Sequence, residues 1–163
     1  MKLLALDQSS RITGFSIWED DELVKSGTVD IGSISDLGER LNYLRNWVIN
    51  LIEDNDIDYF AFEDIQLQGN VANNVKTFKT LAEVFGVMHE LSVSLQIPYE
   101  AVLASSWKSS LGIKGRNRAE QKRNAQTFVL NKYSLKVTQD EADAICIGAY
   151  ITKNAKPCFD WSE

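Results

Sequence analysis

The sequence has few of the residues that build metal sites from nitrogen or sulfur. Its 163 residues include one histidine and two cysteines. Cys146 and Cys158 lack the close spacing of metal-ligand pairs, and Cys146 stands among apolar residues, so we predict that both are reduced and structural. His89 lies within a helical pattern, where packing is its expected role. A site built on cysteine or histidine ligands is therefore not expected.

Long apolar runs are also absent, and none of the runs in the sequence could cross a bilayer. The first residues, "MKLLALDQSS", reach an acid at Asp7, too early for the apolar part of a secretory signal. These absences predict a cytoplasmic protein. With 44% hydrophobic residues, 163 residues suffice for one domain with a real core and are few for two. We therefore predict a single domain over residues 1–163.

Basic residues are outnumbered by acidic ones, and the net charge of −6 alone argues against a nucleic-acid partner. Their distribution reverses that inference, because residues 108–123 hold six basic residues and one acid. The six are Lys108, Lys114, Arg116, Arg118, Lys122 and Arg123. Such a segment is either a solvated charge run or a phosphate-binding surface.

The periodicity predicts three strands followed by alternating helices and strands. Residues 2–7, 13–20 and 22–31 are β-rich runs separated by turn residues, as in an antiparallel meander. A capped helix then starts near residue 37, and residues 58–64 form a buried strand parallel to the first. A helix over 74–95 and a strand over 97–104 follow. Short helices from about residues 105 and 118 lead to a helix at 138, where Thr138 and Glu141 form a capping box.

Four carboxylates from distant segments are predicted to meet. Asp7 ends the first strand and Glu63 the fourth, and the carboxyl ends of parallel neighbours lie at the same sheet edge. Asp140 and Asp143 are three residues apart and share a helix face. Taken singly, Asp7 could be a turn residue and Asp140 a partner of the helix dipole. Together the acids would repel one another, so this oxygen-only set predicts divalent metal, Mg²⁺ or Mn²⁺.

Five segments, in order, carry a family resemblance. They are "LALDQSSRITGFSI", "FAFEDIQ", "WKSSLGIKG", "RAEQKRN" and "DEADAICIGAY". Together they resemble the RuvC family of Holliday-junction resolvases, above all its short phage-encoded members, over nearly the whole chain. The resemblance implies an α/β, RNase H-like fold of the ribonuclease H/integrase type. Its five-stranded mixed sheet would have helices on both faces, and a phage protein would act in the cytoplasm of a bacterial host.

The resemblance also implies an activity, the metal-dependent cleavage of Holliday junctions and of other branched DNA such as forks. The family's acidic quartet and its two functional lysines carry over to Asp7, Glu63, Asp140, Asp143, Lys108 and Lys122. Two Mg²⁺ ions about 4 Å apart, or Mn²⁺ in their place, would clamp the attacking water and the leaving 3′-oxygen. The remaining basic residues of 108–123 would bind the DNA backbone. Symmetrical cleavage of a four-way junction needs two sites, so a homodimer is implied.

The chain departs from the bacterial pattern after Glu63. Where RuvC has an aromatic wedge three residues after this acid, the chain has Gln66, followed by Leu67. Both are candidate DNA contacts. The change leaves the nuclease centre alone, and we expect it to weaken selectivity for junction shape and DNA sequence.

Two other classes of function stay open at this point. The first hairpin also resembles the phosphate-binding hairpin of sugar kinases in the actin-like ATPase superfamily. Those enzymes enclose their nucleotide between two such domains, and 163 residues supply one. The second class is a non-catalytic DNA-binding module of the same fold. Such a module predicts the loss of at least one acid, and all four are present.

Overall fold

The computed structural model describes residues 1–66 and 71–156, with the backbone alone for residues 71–73. Five strands form one sheet: β1 (Lys2–Asp7), β2 (Ile12–Glu19), β3 (Glu22–Asp30), β4 (Tyr59–Glu63) and β5 (Tyr99–Val102). Their order is β3-β2-β1-β4-β5. The first three strands pair antiparallel, whereas β4 is parallel to both β1 and β5. The predicted meander and the crossover to a parallel fourth strand are confirmed.

Five helices connect or follow these strands in the described part of the chain. They are α1 (Leu37–Asp54), α2 (Val71–Ser94), α3 (Ala104–Ser110), α4 (Arg118–Tyr133) and α5 (Gln139–Asn154). The predicted cap of α1 is present, because the Asp36 carboxylate accepts the Glu39 N–H at 2.9 Å. The helix predicted from about residue 118 begins at Arg118, but the prediction that it is short was wrong. Asn117 caps α4, which continues for 16 residues until Ser134 takes a left-handed conformation.

Apolar residues fill both faces of the sheet. Leu3 and Ala5 of β1 point to one face, where they pack with buried residues of α3, α4 and α5. Leu4 and Leu6 point to the other, against α1 and α2. Because successive side chains of a strand alternate between faces, a strand covered on both sides is apolar throughout. The predicted helices on both faces are confirmed.

Helix α5 approaches the sheet closely at two glycines. A Cβ added to Gly148 would collide with the Trp18 indole, and one added to Gly14 would collide with the backbone carbonyl of Asp140. Gly14 is the register partner of Asp7. The missing side chain at Gly14 therefore allows the start of α5 to lie beside the end of β1.

The residues predicted to be structural have that role where they are described. Cys146 is a buried free thiol, and Cys158 lies outside the described residues. The His89 ring packs edge-on against Phe62 and Phe85, and its Nδ1 lies 3.3 Å from the Tyr99 hydroxyl. Over residues 1–66 and 71–156, no helix combines the length and apolar character needed to span a membrane.

Candidate active site

The ends of β1 and β4 bring two acids together. The parallel register pairs Leu6 with Phe62, so Asp7 and Glu63 follow at the same level of the sheet. Both side chains line one open cleft. The predicted meeting of these two carboxylates at the sheet edge is found in the structure.

The first turns of α5 add the other two acids. Asp140 and Asp143 line the same cleft, and Asp143 is buried. The predicted capping box is only half formed. The Thr138 hydroxyl accepts the Glu141 N–H at 3.3 Å, but the Glu141 carboxylate accepts a hydrogen bond from the Ser26 hydroxyl of β3 at 2.8 Å. Glu141 therefore fastens α5 to the sheet, while Asp140 and Asp143 line the cleft.

Three acids of the cleft, Asp7, Glu63 and Asp143, are held in an environment that opposes their ionisation. Desolvation raises the pKa of Asp7 well above its ordinary value, and the charges of Glu63 and Asp143 raise it further. Desolvation also raises the pKa values of Glu63 and Asp143. A hydrogen bond from Trp107 opposes the shift at Glu63, and the Lys122 ammonium opposes it at Asp143. The cluster therefore favours a bound cation, which would stabilise the ionised carboxylates.

The donor chemistry of the cleft fits a hard divalent cation. All four acids offer oxygen, and Asp143 Oδ1 is buried with no hydrogen-bond partner among the described residues. A buried carboxylate oxygen without a partner is costly, and metal coordination would satisfy it. Within residues 1–66 and 71–156, however, no three acid, histidine or cysteine side chains already converge on one point. Metal binding would therefore require the carboxylates to draw closer.

The basic segment divides into two groups. Lys108, Arg118 and Lys122 line the cleft with the acids. Burial lowers the pKa of Lys122, but the Asp143 carboxylate, whose Oδ2 lies 3.0 Å from Nζ, acts with the charges of Asp7 and Asp140 to leave this pKa raised. The second group is exposed and lies outside the described cleft lining. It consists of Lys114, Arg116 and Arg123.

The segment after β4 and helix α2 also line the cleft. Gln66 is exposed and lines the cleft, together with Thr77 and Phe78. Leu67, the other predicted DNA contact of this segment, lies outside the described residues. Val75 on the same helix is half exposed, with 52% of its surface accessible. This end of α2 therefore presents apolar surface beside the cleft.

Two residues beside Glu63 were missed by the sequence reasoning. The Gln8 side-chain amide pairs with the Glu63 backbone, and the Trp107 indole donates to the Glu63 carboxylate. These partners are 55 and 44 residues away in the chain, so no local periodicity indicates the contacts. The one signal in the sequence was that each stands next to a predicted site residue: Gln8 follows Asp7, and Trp107 precedes Lys108.

The sheet has three antiparallel strands continued by two parallel ones, and acids lie at the ends of β1 and β4 and on α5. This arrangement is that of the RNase H-like class of nuclease folds. The chain belongs to one family within that class. The model of the family described as crossover junction endodeoxyribonuclease RuvC matches residues 3–151. Nucleases of this family generally depend on divalent metal. The predicted family and fold are confirmed, and the actin-like ATPase alternative is not favoured.

Individual relatives agree with this assignment. The chain is 29% identical to the crossover junction endodeoxyribonuclease RuvC of Dictyoglomus thermophilum, in an alignment that covers 94% of this chain and 98% of the relative. T. thermophilus RuvC, solved in complex with Holliday junction substrate, matches with a TM-score of 0.73 and 15% identity over 96% of this chain and 99% of that one. Fowlpox virus resolvase, solved with substrate Holliday junction DNA, matches with a TM-score of 0.58 and 12% identity over 94% and 98%. At these identities, the two solved structures show a shared fold.

Proposed function

We propose that this chain is a single nuclease domain that cleaves four-way DNA junctions, and other branched DNA, by hydrolysing phosphodiester bonds. The observation that carries the proposal is that four carboxylates and two lysines line one cleft. Family membership supports the same reaction. A non-catalytic DNA-binding module would have no need of acids in a site where desolvation opposes the charge of Asp7, Glu63 and Asp143.

Each side chain of the cleft has a role in this proposal. Asp7, Glu63, Asp140 and Asp143 would hold two Mg²⁺ ions, for which Mn²⁺ would substitute. When bound, the ions would supply an activated water and stabilise the negative charge that develops on the phosphate. Asp7 is our candidate to contact both ions, because it ends β1, the strand that lies between β2 and β4 at the centre of the sheet. Lys108 and Lys122 would neutralise the scissile phosphate.

The basic residues give the DNA backbone a path away from the acids. Arg118 lines the cleft beside Lys122, and the exposed Lys114, Arg116 and Arg123 belong to the same segment or the helix that follows it. Contacts of this kind bind phosphates, and so they position DNA without reading its sequence. Gln66 lines the same cleft, where it would meet the bases at a branch point.

We also propose that the active form is a homodimer. Two strands of a four-way junction must be cut symmetrically, and each domain supplies one acidic cleft. The exposed Val75 and the partly exposed Phe78 and Leu81 of α2 lie beside that cleft and would contribute to the contact. Phe85 is a weaker candidate for the interface because it packs against the core.

The test is a cleavage assay on four-way, forked and linear DNA of matched sequence, with Mg²⁺ or with EDTA. Asp140→Asn and Glu141→Gln form a matched pair, because these neighbouring acids face the cleft and β3 respectively. We expect metal-dependent cutting of branched DNA by the wild type and by Glu141→Gln but not by Asp140→Asn. Cutting that persists in EDTA, or an absence of cutting on every branched substrate, would contradict the proposal. Light scattering on the free protein tests the dimer separately.

A further inference from the structure

Glu63 is held at its backbone and at its carboxylate by two residues outside the acidic cluster. The Gln8 amide donates from Nε2 to the Glu63 carbonyl oxygen at 2.6 Å, and its Oε1 accepts the Glu63 N–H at 3.1 Å. The Trp107 indole donates from Nε1 to Glu63 Oε2 at 2.9 Å. Gln8 is only 6% exposed and Trp107 is fully buried. The bonds are therefore well shielded from competing water.

The Gln8 side chain continues the sheet pairing beyond the end of the strands. β1 ends at Asp7 and β4 ends at Glu63. A side-chain amide that both donates to and accepts from one residue copies the pairing of a neighbouring strand. Because Gln8 is bonded covalently to Asp7, this clamp fixes the position of the Glu63 backbone relative to Asp7.

The Trp107 bond selects one orientation of the Glu63 carboxylate. A hydrogen bond to an ionised oxygen is stronger than one between neutral groups, and here it is made in a buried place. It occupies one of the two lone-pair directions of Oε2 and turns the other oxygen, Oε1, away from the indole. The Lys108 ammonium lies 5.2 Å from the centre of the Trp107 ring, on a residue that also lines the cleft.

We propose that Trp107 and Gln8 are positioning residues for metal binding by Glu63. They act through Glu63: Gln8 fixes its backbone beside Asp7 and Trp107 orients its carboxylate, so Glu63 has less to rearrange when the carboxylates close on an ion. The inference rests on the proposed function, because it assigns Glu63 to a metal. It predicts that loss of the Gln8 or the Trp107 hydrogen bonds reduces the free energy of metal binding more than the free energy of unfolding.

A simpler explanation is that a buried indole needs any acceptor and that Glu63 happens to provide one. Trp18 allows the two explanations to be separated. It is also buried, at 1% exposure, and its Nε1 donates to the Ser16 hydroxyl over the same 2.9 Å. Ser16 has its own bond to the Ala144 carbonyl, so Trp18→Phe leaves that link to α5 in place. Trp18→Phe and Trp107→Phe remove the same atoms from the same degree of burial.

The experiment compares wild type, Trp107→Phe, Trp18→Phe and Gln8→Met. Calorimetric titration of each protein with Mn²⁺ in the absence of DNA gives the metal affinity, and cleavage rates over a range of Mg²⁺ concentrations give half-saturation and maximum rate. Residues that orient metal ligands typically change metal affinity about 10- to 100-fold. We expect a loss of that size in Trp107→Phe and Gln8→Met, with a maximum rate that largely recovers at saturating Mg²⁺. Trp18→Phe should lower the melting temperature and leave both metal constants unchanged.

Equal metal constants in Trp107→Phe and Trp18→Phe, with cleavage by the wild type intact, would overturn the inference and leave the proposed function standing. A wild type that neither binds metal nor cleaves DNA would remove the proposed function itself. If Trp107→Phe fails to fold, Gln8→Met decides alone, because methionine keeps the length of glutamine and removes both hydrogen bonds. An unchanged Mn²⁺ affinity in that variant would also overturn the inference.

Discussion

Lys122 Nζ lies 3.0 Å from Asp143 Oδ2, so a lysine of α4 neutralises one acid of α5 inside the cleft. The two side chains are 19% and 9% exposed. The other oxygen of the same carboxylate, Oδ1, has no hydrogen-bond partner among the described residues. One ammonium thus relieves part of the repulsion in a cluster of four acids. Protonation or a bound cation must relieve the rest.

Neutralising Asp7 should lower the cleavage rate and raise the stability of the metal-free fold. We expect Asp7→Asn to cut junctions at least about 100-fold more slowly than the wild type, a loss of about 3 kcal/mol of transition-state stabilisation. Without metal, the same change should raise the melting temperature at neutral pH, because it removes a charge that desolvation and two neighbouring acids disfavour. Each kcal/mol gained corresponds to about 2–4 °C. The measurements are cleavage rates in Mg²⁺ and melting curves in EDTA.

The pH dependence of this stability difference has a defined sign. The pKa of Asp7 is raised in the folded state, so folding favours its protonated form. Its contribution is fully present below the unfolded pKa of about 4 and is lost as pH rises through the folded value. The advantage of Asp7→Asn should therefore grow from acid to neutral pH. A difference that is constant over this range, or cleavage near the wild-type rate, would count against the assignment.

Addition of metal should stabilise the wild-type fold. A ligand that binds only the folded state at 100 times its Kd contributes about 2.7 kcal/mol. We expect Mn²⁺ to raise the melting temperature of the wild type and of Glu141→Gln equally, because the Glu141 carboxylate is bonded to Ser26. Asp7→Asn should respond much less. Equal responses from Asp7→Asn and the wild type would show that the ion binds elsewhere.

The basic segment should contribute salt-dependent affinity without sequence preference. Arg118 lines the cleft, while the Arg116 side chain is 93% exposed and pairs with Glu120 at 3.4 Å. Replacing both arginines with alanine should weaken binding to all DNA shapes alike. The slope of log affinity against log salt should fall by about 1.8, or about 0.9 per phosphate contact. Lys132→Ala, at the far end of α4, is the control and should leave the slope unchanged. An unaltered slope in the double variant would show that these arginines are merely solvated.

The parts of the site that follow from local pattern could be predicted from the sequence. Strand ends place Asp7 and Glu63, because parallel neighbours finish at one edge of a sheet. Helical spacing places Asp140 and Asp143 on one face, and a threonine marks where that helix starts. These positions depend on distances of a few residues along the chain.

The partners of those acids could not be predicted, because they depend on packing between distant segments. Nothing in the capping pattern at Thr138 indicates that Glu141 would bond to Ser26, which is 115 residues away. The local charge of residues 108–123 also does not separate Lys122, which binds Asp143, from the exposed Arg123. Both contacts depend on how α5 packs on the sheet and how α4 packs on α5.

The identity of residue 66 should set how strictly the enzyme selects four-way junctions. A wedge at a branch point must offset a few kcal/mol of lost stacking for each step it opens, and large apolar or aromatic side chains do so best. Gln66 is exposed on the wall of the cleft, where its amide could hydrogen-bond a base edge but could not replace a stacked base. We therefore expect the wild type to cut forks and flaps at rates comparable to four-way junctions, with little sequence preference.

Gln66→Phe should raise the ratio of junction to fork cleavage. Gln66→Leu, which is apolar without a ring, separates the effect of stacking from that of hydrophobicity alone. The measurement is the cleavage rate of each protein on a four-way junction, a fork and a linear duplex of matched sequence. A wild type confined to the four-way junction at one short sequence would contradict this prediction, as would a Phe variant with unchanged selectivity.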